Sequence, residues 1–429
     1  MTNIGRLFAT VLLLALLPLF TLSCGRTGFA PEGEVALSFS VDTLSFDTVF
    51  ATIGSTTRQV RVYNRTSSDV LLSEVTLAGG RASRFRINVD GDTSMVARQI
   101  EVLAGDSIFI FVQVNVKPND LTEPFLVEDA ILFSNGQRVP LMAWGRNAVY
   151  HQVPAGASYS VVDCEGWDHT RPHVILGTAA ILDGHTLNLV AGDELYFADN
   201  GMLAVYSNAS LVVNGTAERP VLFTSLRHDG WYSFLPGQWQ CLFLTSDSKG
   251  NYIDHALIEN GTGGIRVYPR AELMLTNTVL RNMSDCALIG QGGKIEGSNL
   301  LVYDCLSSFI VLGGGSYAYN RCTFANYWRY TSRTLETVVL SNTMGLASGD
   351  GADLLRADFV DCIVYGSHYP SELLLVDDSV HLFNYRFDHS LVKGGEWDED
   401  PLFEDVENDN YRLRDESPAL GIGYPFEDL

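Results

Sequence analysis

NYIDHALIENGTGGIRVYPRAE (Asn251–Glu272), LMLTNTVLRNMSDCALIGQGGK (Leu273–Lys294), IEGSNLLVYDCLSSFIVLGGGS (Ile295–Ser316) and the stretch opening YAYNRCTFANYW at Tyr317 stand in register at a step of 22 residues. The sixth places hold Ala256, Thr278, Leu300 and Cys322, and the eighth hold Ile258, Leu280, Val302 and Phe324. The tenth hold Asn260, Asn282, Asp304 and Asn326. Further on, Ile265, Ala287 and Phe309 match, as do Val267, Ile289 and Val311. A fixed period of this length marks stacked repeats. Places six and eight share one face of a strand and point inward. The Asn column follows the strand, where Asn tolerates the left-handed backbone of a sharp turn.

Upstream, Leu187–Leu189, Leu195–Phe197, Leu203–Val205, Leu211–Val213 and Val221–Phe223 read as short strands of period two. Ala191-Gly192-Asp193, Asp199-Asn200-Gly201 and Asn214-Gly215 separate them as turns. No helical pattern lies between, which excludes an α/β fold. Three short strands consume about one 22-residue period, so the chain is expected to wind as a parallel solenoid. Arg329–Gly351 breaks the register and predicts an irregular coil with a protruding loop.

Asn214–Ser225 and Gly237–Leu244 resemble the opening coils of bacterial right-handed parallel β-helix proteins of the pectate-lyase-like kind. Asp400–Phe403 and Tyr411–Ala419 resemble their closing segment, with Leu420-Gly421-Ile422-Gly423 where the pattern usually continues with Asp and Gly. The resemblance implies architecture and not activity, because the fold hosts lyases, glycosidases, adhesins and inert stalks.

Residues 35–150 read as another texture. Ala36–Val41, Gln59–Tyr63, Val70–Leu72, Phe85–Val89, Ser107–Val114 and Ala130–Phe133 alternate apolar and polar between turn residues, as an antiparallel sandwich does. Asp42–Phe50, Phe85–Gly91, Gly105–Val112 and Val139–Gly145 resemble an immunoglobulin-like domain of Bacteroidetes surface lipoproteins. The expected fold is therefore all-β: an N-terminal immunoglobulin-like antiparallel β-sandwich, then a right-handed parallel β-helix over 151–429.

The N-terminus carries one basic residue, Arg6, then the apolar run Leu7–Leu22 and Ser23-Cys24. This reads as a secretory signal over 1–23, too short to span a bilayer. It resembles a bacterial lipobox, with Thr21 where Leu is usual. The resemblance implies lipid attachment at Cys24, a tether over 24–34, and an outer-membrane lipoprotein on the periplasmic face or the cell surface.

The formal charge is −23, and removing residues 1–23 takes away only Arg6 and leaves −24. Such an acid excess argues against nucleic acid and anionic membrane surfaces as partners. It also disfavours unaided binding of polyuronates. Beyond Cys24 six cysteines remain, Cys164, Cys241, Cys286, Cys305, Cys322 and Cys362, with no CxxC or zinc spacing. They read as small buried side chains, and a Cys164–Cys241 bridge stays open. No metal or cofactor motif is present; calcium would have only Asp90 and Asp92, which a solvated turn accounts for.

The register allows a search for catalytic carboxyls, which glycosidases place about 5–5.5 Å apart (retaining) or about 6.5–9.5 Å apart (inverting). No registered column holds a stacked pair, which leaves pairs in neighbouring columns and the C-terminal Asp358, Asp361, Asp377, Asp378 and Asp388. The column Glu259, Arg281, Tyr303 holds residue types a polysaccharide lyase would use, and equally those of a cross-coil ion pair beside a ring. Aromatic faces pack on sugar rings. Tyr327, Trp328 and Tyr330, at the start of the insertion, are the ligand-binding candidates. Trp231, Tyr232, Phe234 and Trp239 read first as capping the solenoid, with ligand binding as the alternative. The expectation is a non-catalytic surface for polysaccharide or another envelope component, with a lyase or glycoside hydrolase, and an inert stalk or adhesin, as alternatives.

Overall fold

The computed structural model describes residues 28–227, 230–344, 350–368 and 370–426. The expected signal segment, 1–23, and Cys24 lie outside the described residues. Two compact units divide between Arg146 and Asn147.

The first unit is a two-sheet sandwich. Its strands are β1 (Ser38–Phe39), β2 (Leu44–Phe50), β3 (Arg58–Tyr63), β4 (Val70–Leu77), β5 (Phe85–Val89), β6 (Val96–Val102), β7 (Ser107–Val114), β8 (Phe125–Phe133) and β9 (Arg138–Arg146). One sheet runs β1-β3-β7-β5 and the other β2-β9-β8-β4-β6. Period-two burial drives the packing. In β7, Ile108, Ile110, Val112 and Val114 are buried, whereas Phe111 and Gln113 are exposed. The inner residues of both sheets form one core with Val60, Leu72 and Phe85 at its centre. Every pairing is antiparallel except β2 with β9, which is parallel and shifts register between Phe46 and Thr48.

The second unit is a parallel β-helix. Val149–Gln152 is already its first strand, paired in parallel with His173–Leu176. Each coil contributes to three faces. On the first, Leu195 lies over Phe223, Phe223 over Ile258, Ile258 over Leu280, Leu280 over Val302 and Val302 over Phe324. All of these are wholly buried. Burying each is worth about 1.5–3 kcal/mol, and each coil repeats the gain against its neighbour. About 98% of crossovers between parallel strands of one sheet are right-handed. Room for the internal rings of Tyr317 and Tyr319 comes from Gly290 and Gly297, where a Cβ would overlap those rings.

The third face corrects the expected register. Ile265 pairs with Leu288, not Ala287, and Leu288 pairs with Phe309. Val267 meets Gly290, not Ile289. The turn after Arg281 is one residue longer than the turn after Glu259, so this face slips by one while the first stays in step.

The bends are held by left-handed residues. Asn260, Asn282 and Asp304 have φ of 67°, 58° and 48°. A second column, His255, Asn277, Asn299, Arg321, Asp361 and His389, has φ between 45° and 52°. Parts of it are bonded: Asn277 Nδ2 donates to the neighbouring Asp254 at 2.8 Å, and Asn299 Nδ2 to Asn277 Oδ1 at 2.9 Å.

Two coils exceed 22 residues by the most: Phe223 pairs with Ile258, 35 residues on, and Thr323 with Ile363, 40 residues on. The surplus leaves the stack as two excursions, one around the 3-10 turn Gly230–Phe234 and one from Tyr327 onward. The strand Val338–Ser341 returns the second to the third face.

Candidate functional site

Strand register stacks Glu259, Arg281 and Tyr303 on successive coils of the first face. Arg281 Nε donates to Glu259 Oε2 at 2.8 Å, and Arg281 Nη1 donates to the Tyr303 hydroxyl at 2.9 Å. Thr224, on the coil before, donates to Glu259 Oε1 at 3.0 Å. The Glu259 side chain is 14% exposed and that of Arg281 37%. Burial raises the Tyr303 phenol pKa, and the neighbouring Arg281 charge opposes that rise. The ring of Tyr303 packs on Tyr411 of the closing segment, 4.8 Å between centroids.

Beside this column the Asn ladder holds the first excursion. Asn282 Nδ2 donates to Asn260 Oδ1 at 2.7 Å and to the Phe234 carbonyl at 2.8 Å. Asn260 Nδ2 donates to the Ser233 carbonyl at 3.1 Å, and Gln238 Nε2 to those of Tyr232 and Leu235. The backbone is fixed from below, so the side chains of Trp231 and Phe234 stand out, 74% and 71% exposed. Trp239 is instead wholly buried and stacks on Phe197 at 4.2 Å.

The second excursion reaches the first. The Tyr330 hydroxyl donates to the Phe234 carbonyl at 2.5 Å. Of the aromatic residues expected to bind ligand, Tyr330 alone has a half-exposed ring. Trp328 is buried and its indole N–H donates to Thr331, while Tyr327 packs among Phe403 and Tyr411. The excursion is anchored by Arg333, buried against Glu372 at 2.7 Å, with Thr337 donating to the same carboxylate.

Next to Tyr303, the Asp304 carboxylate accepts from Arg329 at 2.7 Å and from the Tyr411 hydroxyl at 3.1 Å. Arg329 also bonds Asp409. Burial raises the Asp304 pKa, while Arg329 pulls it down and Asp409 adds to the rise. Asp409 has no place in the 22-residue register, because it lies on the closing segment, outside the periodic coils.

The remaining acids are engaged. Asp358 meets Arg356 and Arg386, Asp361 meets His389, and Asp377 and Asp378 accept from Asn342. Asp388 lies 3.7 Å from Arg386. Asp92 accepts from the Ser94 backbone N–H in a turn. Among the described residues no group of three His, Cys, Asp or Glu could hold a metal ion, and all six cysteines are free thiols, Cys164 and Cys241 included.

No family model matches the chain, and no curated protein does either. Among solved structures it is similar to the catalytic domain of a GH87 alpha-1,3-glucanase variant in complex with tetrasaccharides, at 12% identity and a TM-score of 0.21, over 77% of this chain and 82% of that one. The class that the strand pairings define is an all-β protein with a parallel β-helix unit, and at this level of likeness no activity passes from one chain to the other.

Proposed function

We propose that the chain is a cell-envelope protein whose β-helix binds a glycan, without turning it over, where the two excursions meet. The observation that carries this is the bond from Tyr330 to Phe234. It joins two off-register insertions beside a polar column, with the rings of Trp231, Phe234 and Tyr330 displayed at the junction. Flat rings stack on sugar faces, and the partly exposed Arg281 supplies a hydrogen-bonding group at the rim. The absence of turnover rests on saturation: Glu259 is held by Thr224 and Arg281, and Asp304 by Arg329 and Tyr411. In this reading Cys24 carries the lipid, the protein belongs to the outer-membrane lipoproteins of Bacteroidetes, and the sandwich is an immunoglobulin-like spacer.

Calorimetric titration with a panel of neutral and acidic oligosaccharides tests it. Binding without new reducing ends or unsaturated product is expected, weakened about tenfold or more in Trp231→Ala. An inert response to the whole panel sinks the proposal. A second reading is supported by Asp304 and Asp409, two carboxyls brought to one guanidinium, Arg329, with burial raising the Asp304 pKa. That reading is a glycoside hydrolase, and reducing ends that vanish in Asp304→Asn would favour it. Unsaturated product lost in Arg281→Ala would favour a lyase.

A further inference from the structure

The outer face of the first sheet of the sandwich carries basic residues in a row. Phe85 pairs with Val114 and Arg86 with Gln113 across β5 and β7, and the Asn115 N–H donates to the Arg84 carbonyl one step beyond. The period of two therefore brings Arg84 and Arg86 out beside Gln113, Asn115 and Lys117, all exposed. Together with Ser55 and its neighbours they line a depression of about 430 Å³. No acidic residue lines it, in a chain whose formal charge is −23. Arg84, Arg86 and Lys117 have no ion-pair partner among the described residues.

The guanidinium of Arg86 is oriented by the protein. Its Nη1 donates to the carbonyls of Ser83 and Phe85, at 2.9 and 2.7 Å, which fixes the plane and leaves the other donors for a ligand. Gln113 is similarly steered by its bond to Thr57. Two residues back along the same face of β7, about 6.7 Å away, stands Phe111, 41% exposed and stacked on Phe109 at 6.2 Å.

We infer that this depression is a second binding site, which takes one anionic sugar unit, its carboxylate or sulfate on Arg84, Arg86 and Lys117 and a sugar ring against Phe111. Planar guanidinium groups match the oxygens of either anion in pairs. The volume lies in the range of small-ligand sites. The charge of the whole chain repels extended polyanions, so the site selects a single charged unit at a chain end or at a sparse modification. It lies in the sandwich and does not depend on the β-helix surface binding anything.

The test uses the full chain and four probes: a trimer of two neutral sugars and one terminal glucuronate, glucose 6-sulfate, neutral maltotriose and inorganic sulfate. Titration followed by calorimetry should show binding of the trimer or of glucose 6-sulfate, and the arm that binds identifies the anion. Arg86→Ala/Lys117→Ala should weaken that binding at least about tenfold, Phe111→Ala severalfold, and the exposed Met274→Ala not at all. All of these positions are exposed, and an unchanged circular dichroism spectrum verifies the fold. The inference is overturned if neither anionic probe binds, if the double variant weakens maltotriose binding as much as that of the anionic probe, if inorganic sulfate binds as tightly as glucose 6-sulfate, or if the double variant binds like the parent.

Discussion

Glu259 and Arg281 lie one above the other on adjacent coils, with Glu259 Oε2 and Arg281 Nη2 2.6 Å apart. The pair sits between Thr224 and Tyr303 in a continuous bonded column. Removing one partner leaves the other half-buried and uncompensated, whereas removing both does not. Arg281→Ala should therefore cost about 2 kcal/mol, reduced from the fully buried figure because the guanidinium is more than a third exposed. Glu259→Gln/Arg281→Ala should cost less than the two single changes together. Urea unfolding of the double-mutant cycle measures the difference, and strict additivity would show that the column is not coupled.

Leu280 is sealed between Ile258 and Val302 in the middle of the stack. Leu280→Ala should lower stability by about 2–5 kcal/mol, because a cavity between two coils cannot collapse without breaking their register. The exposed Met274, on the same long strand, should tolerate Ala within about 0.5 kcal/mol. Equal losses at both sites would contradict the inward and outward assignment.

At the start of the helix, His151 Nε2 and His173 Nδ1 are 2.8 Å apart, and Trp167 stacks on His173 at 3.5 Å. His173 Nε2 lies 2.9 Å from the Asp168 carbonyl. Burial pushes both imidazoles down from 6.5 to about 4. The unfolded chain thus takes up protons at higher pH than the folded one. Their contribution is complete above about pH 6.5, declines as pH falls, and is lost by about pH 4, at most about 3 kcal/mol for each ring. The Tm should fall over that window, and His151→Leu should flatten the fall by roughly half. A pH profile identical in the variant would refute the assignment.

Asn282 ties the Gly230–Phe234 turn to the coil below through the Phe234 carbonyl. Asn282→Ala should cost about 1–2 kcal/mol, from the lost bonds and from a left-handed backbone that Ala tolerates less well. Amide exchange should quicken in residues 230–235 and stay unchanged in Val174–Leu176. Exchange that quickens evenly along the helix would mean that Asn282 serves the stack and not the turn.

The repeat itself carried most of the fold. Ile258, Leu280 and Val302 stack as their common place in the 22-residue step requires, because an inward side chain recurs once per coil whatever surrounds it. The same logic placed Glu259, Arg281 and Tyr303 in contact, and the tenth-place Asn260 and Asn282 at left-handed bends. It failed at Ala287, where one extra turn residue moved the third face out of step with the first, since the faces are joined by turns whose lengths vary independently. It also missed the second left-handed column, whose His255, Asn277 and Arg321 share a backbone conformation but no side-chain chemistry.

What sequence alone determined was the coil: its period, its buried column and its polar ladder, all set by contacts between residues a constant distance apart in the chain. What the tertiary structure decided was the surface around that ladder. Trp231 faces solvent and Trp328 is buried because bonds from Asn282, Tyr330 and Arg333 fold two irregular insertions back onto the stack. Asp409 meets Asp304 through Arg329 because the closing segment folds back over the first face. Such contacts join segments with no periodic relation, so no spacing in the chain announces them.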